Sequence, residues 1–357
     1  MKKFVVLFVI FAFSASAFAD KPKFLEHRYE YKLEDVLKAD KYEKKDRYWE
    51  AYTGGKLVGY VLLSKDWTPQ HVGYAAKHME TLVGFDTKGA ITGVKIIFHA
   101  EPIVLIGLKE ENYDNFIKQY MGKSILQSMS VGNEIKMDAI TGATVTAVVQ
   151  NAIIAESAKK VAGMAGLIKY AEQKGHKLSK KFDALSWKEL MDSGAAKNIL
   201  VTQEEIGQPG GKDPYIDLYY GLVTPPSIGK NVLGERIYAQ VMESLKPGES
   251  AVFIFSNGPG SFKGSGFARG GVFERFNIEQ DDRSYVFTDK DYKILTEVAA
   301  NGAPLLKEGG IFIIRAKDFD QSKAFKLKLI VGYRAGIEKK FKPAVSDYKL
   351  PDKFMEQ

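Results

Sequence analysis

The stretch MDAITGATVTAVVQNAIIAESAKK, residues 137–160, decides how this chain is interpreted. Hydroxyl residues surround Gly142 and Ala143, and from Val145 the Ala and Val positions continue as a helical pattern to about Ala165. Gly142 allows a positive φ or a close backbone approach, and Ala143 leaves space beside the chain. The sequence therefore predicts a tight turn that leads into a long helix.

The predicted turn places Thr144 at the start of this helix. Free amide groups and the positive end of the helix dipole surround a hydroxyl in such a position. A phosphate is favoured there, because its anionic oxygens accept hydrogen bonds from the free N–H groups. The plainer interpretation is an N-cap, in which Thr141 or Thr144 caps an amphipathic helix. The residues alone leave both interpretations open.

The first residues have the pattern of an export signal. Lys2 and Lys3 precede an apolar run over residues 4–13, and residues 17–19 form a small-x-small cleavage site. The apolar run is shorter than the roughly twenty residues that a membrane-spanning helix needs. We therefore expect a signal peptide over residues 1–19 and a periplasmic protein that is soluble after cleavage.

Composition narrows the classes of function. The chain has 357 residues, of which 45% are apolar and 12% aromatic, so its length and content predict two domains. It has no cysteine, which excludes disulfides and thiolate-bound iron–sulfur or metal sites. The five histidines lack the close spacing of a metal site. The net charge of +7 is spread along the chain, which fits a solvated surface better than nucleic-acid binding.

The segments before the central helix predict antiparallel strands. Residues 47–67 form one expected hairpin with its turn at Gly54-Gly55, and residues 79–102 form a second around an Asp-Thr-Lys-Gly turn. Helical spacing follows over residues 113–120, with Asn112 available as its cap. The pattern is typical of an α+β domain with an antiparallel or mixed sheet and packed helices.

A change in sequence texture predicts the domain boundary. Residues 204–214 are rich in turn formers. We expect a first domain over residues 20–183, a linker with a short helix over 184–213, and a second α+β domain over 214–357. In the second domain the pattern indicates several strands and a helix near residues 289–299.

The central motif resembles a known modification site. Asp138, Thr141, Gly142, Ala143 and Thr144 match every specified position of D-x-x-[S/T]-G-A-T, the covalent flavinylation motif of the exported FMN-binding domain family. That family includes subunits of Rnf-type and sodium-pumping quinone reductase complexes. In it a flavin transferase joins FMN through its phosphate to the last threonine. The resemblance implies a covalent FMN on Thr144 and cofactor contacts in the loop before it.

A second segment, residues 73–107, resembles the core of the same family. There a Gly-Tyr stretch precedes strands that end in a His-x-Glu-Pro-like element near the flavin, which implies roles for Tyr74, His99 and Glu101. A cation near the reduced ring would raise its potential. The candidate cations are Lys77, Lys95 and His99, for which a solvated lysine or a structural histidine is the plainer interpretation.

The similarity extends over most of the chain and is strongest with the periplasmic portion of NosR-type proteins. It continues through residues 215–234 and 261–276. It implies electron transfer from a membrane-bound quinol or iron–sulfur protein to a periplasmic reductase, such as nitrous oxide reductase. Such a protein is an electron carrier rather than a stand-alone enzyme. Two alternatives remain open: a docking or assembly module without redox activity, and a flavin reductase that acts on a small substrate.

Overall fold

The computed structural model describes the chain between residues 25 and 356, apart from short gaps. The gaps are 69–70, 72, 74–76, 102–109, 128, 130–134, 136–143, 169–176, 265–266, 268–270, 282, 317–318 and 337. The signal peptide expected over residues 1–19 lies outside the described residues. Among the helices that are described, none is both long enough and apolar enough to cross a membrane.

The first domain is built on a six-stranded antiparallel sheet with the spatial order β1-β6-β5-β4-β3-β2. The strands are β1 (His27–Arg28), β2 (Lys41–Lys44), β3 (Tyr48–Thr53), β4 (Lys56–Leu63), β5 (Glu80–Asp86) and β6 (Ile91–His99). The hairpin turn between β3 and β4 uses Gly54 and Gly55, whose φ angles of 55° and 76° are those that a tight two-residue turn requires. The structure thus has both expected hairpins.

Two helices pack on this sheet: α1 (Glu110–Lys118) and α2 (Thr144–Met164). Helix α1 buries Tyr113 and Phe116 in the first core, which also contains Ile154 of α2. Because α1 begins at residue 110, Asn112 lies inside the helix and is not its cap. Helix α2 is buried on most of its surface, as expected of a helix packed between two layers.

The second domain has two further antiparallel sheets around one aromatic core. One sheet has the order β12-β13-β9-β8-β7 and the other β11-β10-β14-β15. The strands are β7 (Lys197–Thr202), β8 (Pro214–Leu222), β9 (Ser250–Asn257), β10 (Phe276–Gln280), β11 (Arg283–Tyr285), β12 (Tyr292–Ile294), β13 (Glu308–Ile314), β14 (Phe325–Ala335) and β15 (Glu338–Tyr348). The helices are α3 (Trp187–Asp192) and α4 (Pro226–Ser244). The predicted α+β fold class is confirmed.

Two local expectations differ from the structure. The range 184–213, expected as a linker, contains the short helix α3, but it also contains β7, which pairs with β8 in the second sheet. Trp187 of α3 is buried in the second core, so this range packs as part of that core. Residues 289–299, expected as a helix, instead form a 3₁₀ turn and the strand β12, because pairing with β13 overrides the local pattern.

The second core predicts an alkaline loss of stability. Burial raises the pKa of the Tyr220 phenol from 10 to about 12. The neutral phenol is favoured in the fold, so stability is unchanged below pH 10 and falls as the pH rises from about 10 to about 12, by about 2.7 kcal/mol. Urea unfolding at a series of pH values measures this loss. Tyr220→Phe should lessen it, while Tyr31→Phe, at an exposed site, should leave it unchanged.

Candidate functional site

The candidate attachment residue, Thr144, is the first residue of α2. At this position the structure describes the backbone alone. The other residues of the motif and the predicted aromatic contact lie outside the described residues: Asp138, Thr141, Gly142, Ala143 and Tyr74. The site is therefore built from what surrounds the first turns of α2.

Glu101 lies against the first turn of this helix. Its carboxylate is 97% buried and accepts a hydrogen bond from the Thr146 hydroxyl. Gly73 packs on the same carboxylate, and a Cβ at position 73 would overlap it. A negative charge next to the amino end of a helix is stabilised by the helix dipole. Glu101 thus fixes the first turn of α2 relative to the end of β6.

His99 lies two residues before Glu101, at the end of β6, and is also buried. Its ring stacks on His27 of β1 at a centroid distance of 4.8 Å and meets the edge of Tyr113 at 5.4 Å. The backbone N–H of Glu101 donates to His99 Nδ1 over 3.2 Å, which assigns the ring proton of a neutral imidazole to Nε2. This arrangement holds His99 within an aromatic cluster beneath the start of α2.

The two candidate lysines are paired with carboxylates on the surface. Lys77 Nζ lies 2.6 Å from Glu26 Oε1, and Lys95 Nζ lies 2.7 Å from Asp35 Oδ2. The structure therefore brings Glu101 and His99 to the start of α2, and it gives both lysines an acidic partner from the segment before β2.

Two buried amides of α2, which the sequence reasoning did not select, anchor the helix. Gln150 accepts a hydrogen bond from the Tyr113 hydroxyl at 2.7 Å and donates to Thr81 Oγ1 at 2.8 Å. Asn151 accepts from the Tyr120 hydroxyl at 2.8 Å. Burial raises the pKa of both tyrosines well above the usual value, so these phenols remain donors. The available signal was the polar pair Gln150-Asn151 within an apolar helical run.

The second domain covers the same part of α2. Val148 packs against Ile330 of β14, together with Val286 and Phe341. Val149 belongs to a second cluster that joins the two domains. This coverage was not anticipated from the sequence, because β15 was not predicted and the sheet that it completes could not be placed.

Comparison with known proteins agrees with this geometry. Residues 73–159 match the FMN-binding domain family. The chain is 34% identical over 330 residues to "Regulatory protein NosR" of Stutzerimonas stutzeri, an alignment that covers 85% of this chain and 45% of that protein. This chain is an FMN-binding domain protein related to NosR.

Other relatives give the same result. Identity to "Regulatory protein NosR" of Pseudomonas aeruginosa is 34% over 316 residues, covering 80% of this chain and 43% of the relative. Identity to "Protein NirI" of Paracoccus denitrificans is 28% over 276 residues, covering 74% and 39%. The chain spans less than half the length of these curated relatives.

The FMN-binding domain contains the elements that form the site. The matched range includes β5, β6, α1 and the first sixteen residues of α2, residues 144–159, and it therefore includes Glu101 and His99. The unpaired N–H groups at the start of α2 suit a phosphate. The close approach of Gly73 to Glu101 shows a packed wall beside that helix end. These residues fit a cofactor that carries a phosphate, as FMN does.

Proposed function

We propose that this chain is an exported electron-transfer flavoprotein in which FMN is joined through its phosphate to the Thr144 hydroxyl. The observation that carries the proposal is that Thr144, the last residue of the D-x-x-T-G-A-T motif, begins a buried helix inside the matched FMN-binding domain. The ester forms when the threonine oxygen displaces a leaving group from the phosphorus of an activated flavin nucleotide. The hydroxyl proton departs with that group.

The residues around α2 would keep the attachment point rigid. Thr146 is tied to the Glu101 carboxylate, and Gln150 is tied to both Tyr113 and Thr81. Each bond is buried, so water does not compete for these donors and acceptors. When bound, FMN supplies one- or two-electron transfer. A covalent link would retain it outside the cytoplasm without depending on binding affinity.

The proposal requires partners. A flavin transferase makes the ester. The chain has no cysteine, so any cysteine-ligated iron–sulfur cluster in the pathway belongs to another polypeptide. We propose a membrane-bound quinol or iron–sulfur redox protein as donor and a periplasmic reductase as acceptor. The resemblance to NosR-type proteins favours a role in support of nitrous oxide reductase.

Replacement of the attachment residue tests the proposal. After co-expression with a flavin transferase, the wild type should give a fluorescent band on a denaturing gel and a mass increase of one FMN, and Thr144→Ala should give neither. The matched control is Thr146→Ser, which keeps the hydroxyl that donates to Glu101 and should remain flavinylated.

Two results would contradict it. An equal mass increase in Thr144→Ala would move the attachment to another residue. A wild-type chain that stays colourless but folded after exposure to the transferase would favour the docking or assembly module.

A further inference from the structure

One face of the sheet β11-β10-β14-β15 lies against α2. Ile330 and Phe341 identify this face, because both pack with Val148. Alternate residues of a strand share a face, so Gly332 of β14 lies on it as well. Gly332 is also the direct cross-strand partner of Phe341. The glycine leaves a gap in this face, next to an aromatic ring.

The side chain of Arg275 fills that gap. A Cβ at position 332 would overlap its guanidinium group, so only glycine admits the arginine there. The guanidinium carbon lies 5.2 Å from the centroid of Phe341. The backbone N–H of Ile330 donates to the Arg275 carbonyl oxygen over 2.6 Å, which fixes the arginine beside β14. The cation is thus held on the face that meets α2.

Arg275 is buried without full hydrogen bonding. Its side chain is 8% exposed, and its Nε has no hydrogen-bond partner among the described residues. The Glu274 carboxylate is 3.6 Å from Nε, which is beyond hydrogen-bond distance. Burial lowers the pKa of Arg275, because the charged form loses solvent. A buried cation with an unused donor favours an anion beside it.

The register of α2 on the sheet brings its first residue toward this arginine. Val148 and Asn151 line a groove whose other wall runs along β14 from Lys328 to Ile330. Val148 makes its packing contact at Ile330, at the end of that wall. Thr144 lies one turn earlier on the same helix face, about 6 Å along the axis. Two more residues of β14 span about 6.6 Å and reach Gly332, where the guanidinium lies.

We propose that Arg275 is an anion-binding residue of the second domain that pairs with the phosphodiester of FMN attached at Thr144. The inference rests on the proposed function. A phosphodiester carries one negative charge, and a guanidinium matches two of its oxygens with two parallel N–H donors. The second domain then forms a wall of the flavin site that lies outside the matched FMN-binding domain.

The test compares flavinylated and unmodified forms of each variant, so that any direct effect of a substitution on the fold cancels. Arg275→Gln is measured beside Arg315→Gln. Arg315 is a half-exposed arginine of the same domain that pairs with Asp291 and Glu249. Mass spectrometry first establishes that each sample carries FMN. The readouts are the rise in Tm on flavinylation and the quenching of flavin fluorescence by iodide.

We expect flavinylation to raise the Tm of the wild type and of Arg315→Gln, at about 2 to 4 °C for each kcal/mol gained. Arg275→Gln should lose more than half of that rise, and iodide should quench its flavin more strongly. If Arg275→Gln does not fold, Gly332→Ala displaces the guanidinium but keeps its charge, and it should show the same loss.

An undiminished rise in flavinylated Arg275→Gln, or in Gly332→Ala where that variant replaces it, overturns the inference and leaves the proposed function intact. A wild type that carries no FMN overturns both.

Discussion

Thr146→Val should lower the free energy of unfolding of the first domain by about 1.5 to 3 kcal/mol, the usual range for a hydrogen bond to a charged group. The variant keeps the shape of the side chain but removes the hydroxyl that donates to the buried Glu101 carboxylate. The loss is large because water cannot replace this donor in a buried site. Urea unfolding gives the free energy, and hydrogen exchange of peptides from α2 shows whether the loss is local.

The controls separate this bond from a general effect of removing a hydroxyl. Thr146→Ser keeps the donor and should lose less stability. Thr224→Val removes a buried hydroxyl that has no hydrogen-bond partner among the described residues, so it should cost little. Equal losses in Thr146→Val and Thr224→Val would show that the bond to Glu101 does not stabilise the start of α2. The yield of covalent FMN in Thr146→Val then shows whether flavinylation needs this first turn to be fixed.

The parts of the fold that the sequence predicted are those set by local chemistry. Gly54-Gly55 specifies a tight turn because both residues adopt positive φ angles at little cost. The long Ala- and Val-rich run after residue 144 could form a buried helix and little else. The D-x-x-T-G-A-T motif required no structure to be noticed, and the matched FMN-binding domain includes it.

The parts that were not predicted depend on contacts between residues that are distant in sequence. Glu101 and Thr146 are 45 residues apart, and nothing near either residue indicates the other. The helix expected over 289–299 became β12 because β13, more than ten residues later, supplies its partner. Arg275 has an unremarkable sequence context, and its burial depends on Gly332, 57 residues away. Such pairings follow from the topology, which local patterns do not specify.

The division of the site between two domains has a consequence for its chemistry. The FMN-binding domain supplies the helix start, Glu101 and His99, whereas the second domain covers the same helix through Ile330 and carries Arg275 on that face. A cofactor attached at the start of α2 would therefore lie where both domains influence it. Packing of the second domain should then affect how well the flavin is shielded from solvent, even when the attachment itself is intact.

Phe312 is the residue through which that packing is best disturbed. It belongs to β13, is fully buried, and lies in the second core rather than the first. Its ring meets Phe273 and Phe276 edge-on at centroid distances of 4.8 and 4.9 Å. Phe276 begins β10, and Arg275 immediately precedes it. A cavity at Phe312 would thus loosen the strand that positions the proposed anion-binding arginine.

Phe312→Ala should destabilise the second domain by about 3 to 5 kcal/mol, because the large cavity left by a buried ring cannot close completely. Hydrogen exchange should speed up in peptides of β9, β10 and β13, and iodide should quench the covalent flavin more strongly although FMN remains attached. Leu305→Ala, at a side chain that is 86% exposed, is the matched control and should change stability by less than about 0.5 kcal/mol. Faster exchange in β10 with unchanged quenching would show that the second domain does not shield the flavin.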